Sequence, residues 1–196
     1  MTRRPYRLGK RAESASGTRR RIVESALSLH DEQGITRTSV RDIAGRAGVA
    51  PATVLQHFPR MDELIHACGE LSDQLAPMPT AAVLVGATTE VERIQRMALA
   101  LFEWWEQLGV GIDHLRIDRR YLRQVDAWFA DVARGHRNLA AVALAGAPQP
   151  RVDLLVAITT VDAWRALRDS GMDPRGAAGQ VAQLLRQDSG TRKAYH

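Results

Sequence analysis

The chain has 196 residues, 45% of them hydrophobic and 25% charged, with a formal net charge of +5 at pH 7. That length fits one medium domain or a small domain fused to a larger one, and folding covers roughly 70% of the unfolded surface. The apolar content excludes a fibrous or disordered chain, and the single cysteine, Cys68, excludes a disulfide framework and a multi-cysteine zinc site.

The longest apolar stretches, 139–147 and 154–161, fall short of the ~18 residues of a membrane span. No apolar run follows the basic start of the chain, so neither a signal peptide nor a membrane partner is expected. The expectation is a soluble protein of a reducing cytoplasm. Charge is unevenly divided. Residues 1–60 hold 12 Lys/Arg against 5 Asp/Glu, a net of +7, whereas residues 61–196 have a net of −2. Such asymmetry favours a polyanion partner for the first third of the chain.

Residues 1–16 lack periodicity and read as a flexible basic arm. Ile22, Ala26, Leu29 and His30 then share one helical face, and Gly34 supplies a stop, so a helix is expected over 18–33. Ser39 is a suitable N-cap for Val40–Ala47, where Val40, Ile43, Ala44 and Ala47 follow the i, i+3, i+4, i+7 pattern. Pro51 suits the first position of a further short helix to Phe58, and Met61–Leu75 is a longer one after Pro59.

Beyond residue 76 the helices become longer and more apolar. Thr89 and Glu92 have capping-box spacing and open a helix to about Gly109. A short piece over 113–119 leads to a long helix over 120–145. Two more, over 151–170 and 174–187, flank Gly171-Met172-Asp173. The class is all-α, with about nine helices expected and no convincing strand.

The informative stretch is VRDIAGRAGVAPATVLQHF, residues 40–58. Two short amphipathic helices joined by a three-residue turn containing glycine describe a helix-turn-helix. Ala44 is small enough for a close crossing, Gly48 suits a left-handed exit, and Val49 plugs the space between the helices. Val54, Leu55 or Phe58 anchor the second helix. That leaves Ala52, Thr53, Gln56 and His57 facing outward, where Gln56 suits adenine and His57 suits phosphate or guanine. From spacing alone, an ordinary helical hairpin stays open.

Residues 18–64, with RIVESAL, GITRTSVRDIAGRAGVAPATVLQHFP and DEL, resemble the N-terminal domain of TetR-type transcriptional regulators. The resemblance implies an all-α fold. A helix-turn-helix DNA-binding domain over 17–60 would precede a larger helical ligand-binding and dimerisation domain over 61–196. It further implies a palindromic double-stranded DNA operator and a ligand-released homodimeric repressor. Thr38, Ser39 and Arg41 would meet DNA at the start of the first motif helix, Pro51, Ala52, Thr53, Gln56 and His57 on the second, and Arg60 just after it. Two positions depart from the family pattern, because Leu55 stands where Tyr is usual and Met61 where Lys is usual. Both usual residues touch phosphates, and the basic arm is the expected substitute.

The implied ligand pocket falls among the aromatic residues of the second part. Met97, Leu101, Trp104, Trp105, Tyr121, Trp128 and Trp164 are its candidates, and core packing is the alternative role for each. A small hydrophobic or aromatic effector is expected, with His114, Arg119, Arg123 or His136 as a polar handle. The helix over 151–170 is apolar nearly all round, so it needs partners on more than one face. With 174–187 it resembles the family's four-helix dimer interface. No cofactor is implied and no catalytic constellation is visible, so enzyme activity is not expected. Cys68 reads as a packing residue. Two other functions compete: a DNA-binding protein without small-molecule input, and a small-molecule binder with weakened DNA function.

Overall fold

The computed structural model describes the backbone of residues 6–191 and the side chains of residues 15–186. Among them are ten α-helices, one 3-10 turn at Ala81–Leu84 and no strand. The helices are α1 (Tyr6–Gln33), α2 (Val40–Ala47), α3 (Pro51–His57), α4 (Met61–Leu75) and α5 (Glu90–Leu108). They continue with α6 (Gly111–Asp118), α7 (Arg123–Ala143), α8 (Gln149–Ile158), α9 (Val161–Asp169) and α10 (Pro174–Thr191). None is long and apolar enough to cross a membrane.

The chain forms two compact units, and they do not divide at residue 60. The first, the head, comprises residues 1–75 together with 110–126, and the second comprises 76–109 and 127–196. Helices α4 and α6 therefore belong with the helix-turn-helix. The first helix also differs from expectation: it begins at Tyr6, so residues 6–16 are helical rather than an arm. The remainder of the expected arm, residues 1–5, lies outside the described residues.

In the head, one apolar core joins four helices. Ile22, Val23, Ala26 and Leu29 of α1 meet Ile43, Ala44 and Ala47 of α2, Val54 and Phe58 at α3, and Leu64, Ala67 and Cys68 of α4. The Cys68 thiol, pushed up to about 12 by burial and then by Asp31, points its Sγ at the Val23 carbonyl and is a packing group.

In the second unit, α5 opens with the capping box read from sequence: Thr89 accepts from the Glu92 amide, and the Glu92 carboxylate accepts from the Thr89 amide. Its buried face, Ile94, Met97, Ala98, Leu101 and Phe102, packs along α10, where Ala177, Ala178, Val181, Ala182 and Leu185 are buried. The small residues of α10 thus serve a close crossing within the chain.

The helix expected over 151–170 is broken into α8 and α9. The Thr159 hydroxyl donates to the Leu155 carbonyl at 2.7 Å, and the next residue, Thr160, caps α9 by accepting from the Ala163 amide. Two threonines thereby end one helix and start another without glycine or proline.

Candidate nucleic-acid interface

The helix-turn-helix is held by its caps. Ser39 has extended backbone (φ −93°, ψ 159°), and its hydroxyl accepts from the Asp42 amide while the Asp42 carboxylate accepts from the Ser39 amide at 2.9 Å. The Ser39 hydroxyl also donates to the Asp42 carboxylate at 2.6 Å, and this bond, with the one from the Ser39 amide, holds the Asp42 carboxyl below the usual carboxylate range. At the other end Gly48 takes φ +66°, and the Val49 amide donates to the Ala44 carbonyl at 3.0 Å, turning the chain sharply into α3.

Pro51 occupies the first turn of α3. Val54 and Phe58 are its buried anchors, whereas Leu55 is 50% exposed. That settles which of the three apolar residues holds the helix down. Pro51, Ala52, Leu55 and Gln56 are exposed, and Thr53 and His57 are half-buried on the flanks. The Arg19 guanidinium of α1 lies 4.5 Å over the Phe58 ring, tying α1 to the end of α3.

The residues expected at DNA therefore split into two sets. Arg41, Ser39, Ala52, Gln56 and Arg60 are exposed around the motif, and Arg60 is 3.2 Å from Asp62. Thr38, by contrast, is spent on the loop. Its hydroxyl donates to the Gly34 carbonyl at 2.7 Å and accepts from Gln33 Nε2 at 3.3 Å. Arg46 is likewise engaged, donating to both Glu32 carboxylate oxygens and to the Ser28 hydroxyl, so it fastens α2 to α1. Arg37, which sequence reasoning passed over, is an exposed cation in the same loop, with Nε donating to the Gln33 carbonyl at 2.5 Å. Its position one residue before Thr38 in a polar connector was the available signal.

Six of the seven expected ligand residues lie in the second unit. Tyr121 is the exception, since it belongs to the head and is 71% exposed. It sits in the turn between α6 and α7. Of the other six, Met97, Leu101, Trp104, Trp105 and Trp164 are buried and Trp128 is half-buried. Phe102 stacks on Trp164 at 5.2 Å, Trp104 lies 4.4 Å from Trp105 and 6.4 Å from Trp128, and Trp128 meets Phe129 edge-on. Met97, Leu101 and Trp164 are sealed in the core.

Trp104 donates to the Ala76 carbonyl at 2.9 Å and Trp105 to the Thr159 carbonyl at 3.1 Å, whereas Trp164 Nε1 is buried with no acceptor among the described residues. Of the four polar handles, only His136 shares this unit. Its Nε2 lies 2.8 Å from the Thr159 hydroxyl, which is already donating to Leu155, so Nε2 carries the hydrogen. Burial, reinforced by Arg137, pushes the His136 imidazole down to about 4 and keeps it neutral. On the outer sides of α8 and α10, Leu154 and Leu184 are exposed.

Comparison with known proteins agrees with this geometry. Residues 22–68 match the family model of bacterial regulatory proteins, tetR family. The fold is shared with a transcriptional regulator from Rhodococcus sp. Rha1 at 19% identity and a TM-score of 0.61, over 85% of this chain and 92% of that one. A protein assigned as a transcriptional regulator of Streptomyces coelicolor A3(2) is similar at 23% identity and a TM-score of 0.61, over 87% and 96% of the two chains. The multidrug binding protein EbrR, solved in complex with malachite green, is similar at 21% identity and a TM-score of 0.57, over 86% and 96%. The match to the tetR family of bacterial regulatory proteins thus falls on the helix-turn-helix of the head, and the fold of the chain is shared with solved transcriptional regulators.

Proposed function

We propose that the chain is a homodimeric, DNA-binding transcriptional repressor that recognises a palindromic operator and is released by a small, largely hydrophobic or aromatic effector. The observation that carries this reading is the joint exposure of Ala52 and Gln56 on α3 and Arg41 on α2, on a backbone fixed by the Ser39 cap and Gly48. In this reading Gln56 pairs with adenine in the major groove, while Ser39, Arg41, Thr53, His57 and Arg60 hold phosphates. Thr38 and Pro51 shape the ends of the two helices.

The exposed Leu154 and Leu184 support a two-fold interface between copies of α8 and α10, which spaces two α3 helices about one DNA turn apart. The aromatic group of the second unit supports a ligand of matching chemistry, as does the ligand complex of EbrR. The effector acts by displacing α4 and so changing the separation of the two α3 helices. A regulator without small-molecule input is favoured by one observation, the complete burial of Met97, Leu101 and Trp164.

Selecting duplexes from a randomised library with the full chain tests the reading directly. A palindromic consensus is expected, and enrichment of no sequence would overturn it. Gln56→Ala should cost about 1–3 kcal/mol at one base pair of each half-site and leave other positions unchanged. Leu184→Asp should yield monomers in sedimentation and lose the palindrome while keeping weak half-site binding. Titrating hydrophobic dyes into the protein–DNA complex separates the two readings, since only a ligand-released repressor dissociates.

A further inference from the structure

The loop that delivers the chain into α2 is held by a carboxylate from far along the sequence. Asp118, the last residue of α6, is 1% exposed. One of its oxygens accepts from the Ile35 amide at 2.6 Å, and the other accepts from the Thr36 amide at 3.3 Å and the Thr36 hydroxyl at 2.5 Å. Gly34, just before, has φ +90°, and a Cβ there would stand 3.2 Å from the same carboxylate. The glycine is needed both for its backbone angle and to let Asp118 approach.

Further bonds close the assembly. His114 Nδ1 of α6 lies 2.9 Å from the Asp31 carbonyl, and the Thr38 amide donates to the Ile35 carbonyl at 3.1 Å. From Ile35 the loop runs only three residues to Thr38, and the next residue is the Ser39 cap. Whatever fixes Ile35 and Thr36 therefore fixes where Arg37, Ser39 and Arg41 stand. A carboxylate accepting three hydrogen bonds in a buried site is a stiff anchor, because each bond to the ionised group is stronger than a neutral one.

We infer that Asp118 is a positioning residue for DNA binding: its carboxylate sets the DNA-facing end of α2 by pinning the loop at Ile35 and Thr36. This rests on the DNA-binding reading above. Asp118 itself is buried and touches no DNA. It acts through Arg37, Ser39 and Arg41. The pin also sits on the segment 110–126, which belongs to the head but is joined at both ends to chain of the second unit.

The test uses the full chain and a duplex selected by the wild-type protein. Asp118→Asn keeps the shape, removes the charge and sets an amide N–H against a backbone donor. It should weaken binding at least about tenfold and speed amide exchange at Ile35 and Thr36. The slope of log affinity against log salt should become shallower by about one for each phosphate the protein no longer holds. A variant that only lowered the fraction of folded protein would keep the wild-type slope.

Thr36→Val removes one of the three bonds without touching the charge, so it folds even where Asp118→Asn does not; it should show the same changes at a smaller size. Asp126→Asn, altering an exposed carboxylate on the same segment, should bind as wild type does. Wild-type affinity and slope in both pin variants, with exchange at Ile35 and Thr36 opened, would overturn the inference and leave the DNA reading standing. A wild-type protein that selects no duplex overturns both.

Discussion

The head and the second unit place their candidate functional residues in opposite ways. In the head, Arg41, Ala52 and Gln56 are exposed, and different residues hold them: Ile43, Val54 and Phe58 from below, Ser39, Gly48 and Asp118 at the ends. Replacing one of these exposed candidates need not disturb the fold. In the second unit, Met97, Leu101 and Trp164 are both the candidate ligand residues and the core. The same side chain would have to seal the fold and open to a guest. Stability and function are therefore separable by mutation in the head and entangled in the second unit, which gives each prediction a side to fall on.

The largest effect is expected at Trp164. Truncating a fully buried Trp removes its transfer free energy and leaves a cavity, so Trp164→Ala should cost about 3–5 kcal/mol in urea denaturation. A loss under about 1 kcal/mol would show a residue lining accessible space rather than sealing the core. Replacing Trp105 and Trp164 each with Phe probes the same core with a smaller change. Trp105→Phe gives up a bond to the Thr159 carbonyl, whereas Trp164→Phe gives up an N–H that has no acceptor among the described residues. The first should cost about 1 kcal/mol more than the second.

A second effect falls on both units alike. His30 in the head and His136 in the second unit are both pushed down to about 4 by burial, with Asp118 partly opposing this at His30. An unfolded histidine titrates near about 6.5. Above that pH both states are neutral and neither residue contributes. Between about 6.5 and about 4 the unfolded chain takes up protons that the folded chain refuses, so stability falls as pH falls. Each residue should account for a loss on the order of 2–3 kcal/mol, complete below about pH 4. The depressed carboxyls of Glu32, Asp42 and Glu92 contribute in a lower window, because their stabilisation is lost only as they protonate. Urea midpoints between pH 7 and 5 isolate the histidines, and His30→Gln and His136→Gln should each flatten part of the slope. A wild-type profile flat over that range would contradict the burial of both.

These contrasts also explain how much of the molecule is legible in its sequence. Val40–Ala47 and Met61–Leu75 have the same bounds in sequence and structure, because caps, glycine and proline mark them locally. The exposed residues of α3 are legible for the same reason, as a short helix with two buried anchors leaves few choices. The break between α8 and α9 is not, since threonine is tolerated inside helices and the cause is a hydroxyl returning to Leu155. The start of α1 escapes notice because residues 6–16 have neither apolar periodicity nor a cap. Asp118 is invisible to any local reading, since its partners lie 82 and 83 residues away. Tyr121 groups with the tryptophans on residue type alone, and type says nothing about which unit a turn joins.

The smallest effect on stability is expected at the start of α2, where the comparison is cleanest. Ser39→Ala removes the hydroxyl that accepts from the Asp42 amide at 3.2 Å, while the Asp42 carboxylate can still accept from the backbone of residue 39. Half of the capping box survives, so the loss should be about 1 kcal/mol in urea denaturation. Binding to a selected duplex should fall as well, because the first turn of α2 frays where a phosphate would meet the Val40 and Arg41 amides. Arg41→Ala should do the reverse, leaving the urea midpoint unchanged and lowering affinity together with its salt dependence. The pair separates holding from touching within three residues of chain. If Ser39→Ala lowers stability and leaves affinity intact while Arg41→Ala weakens binding, the phosphate is held by the guanidinium alone, and the helix terminus serves only to aim it.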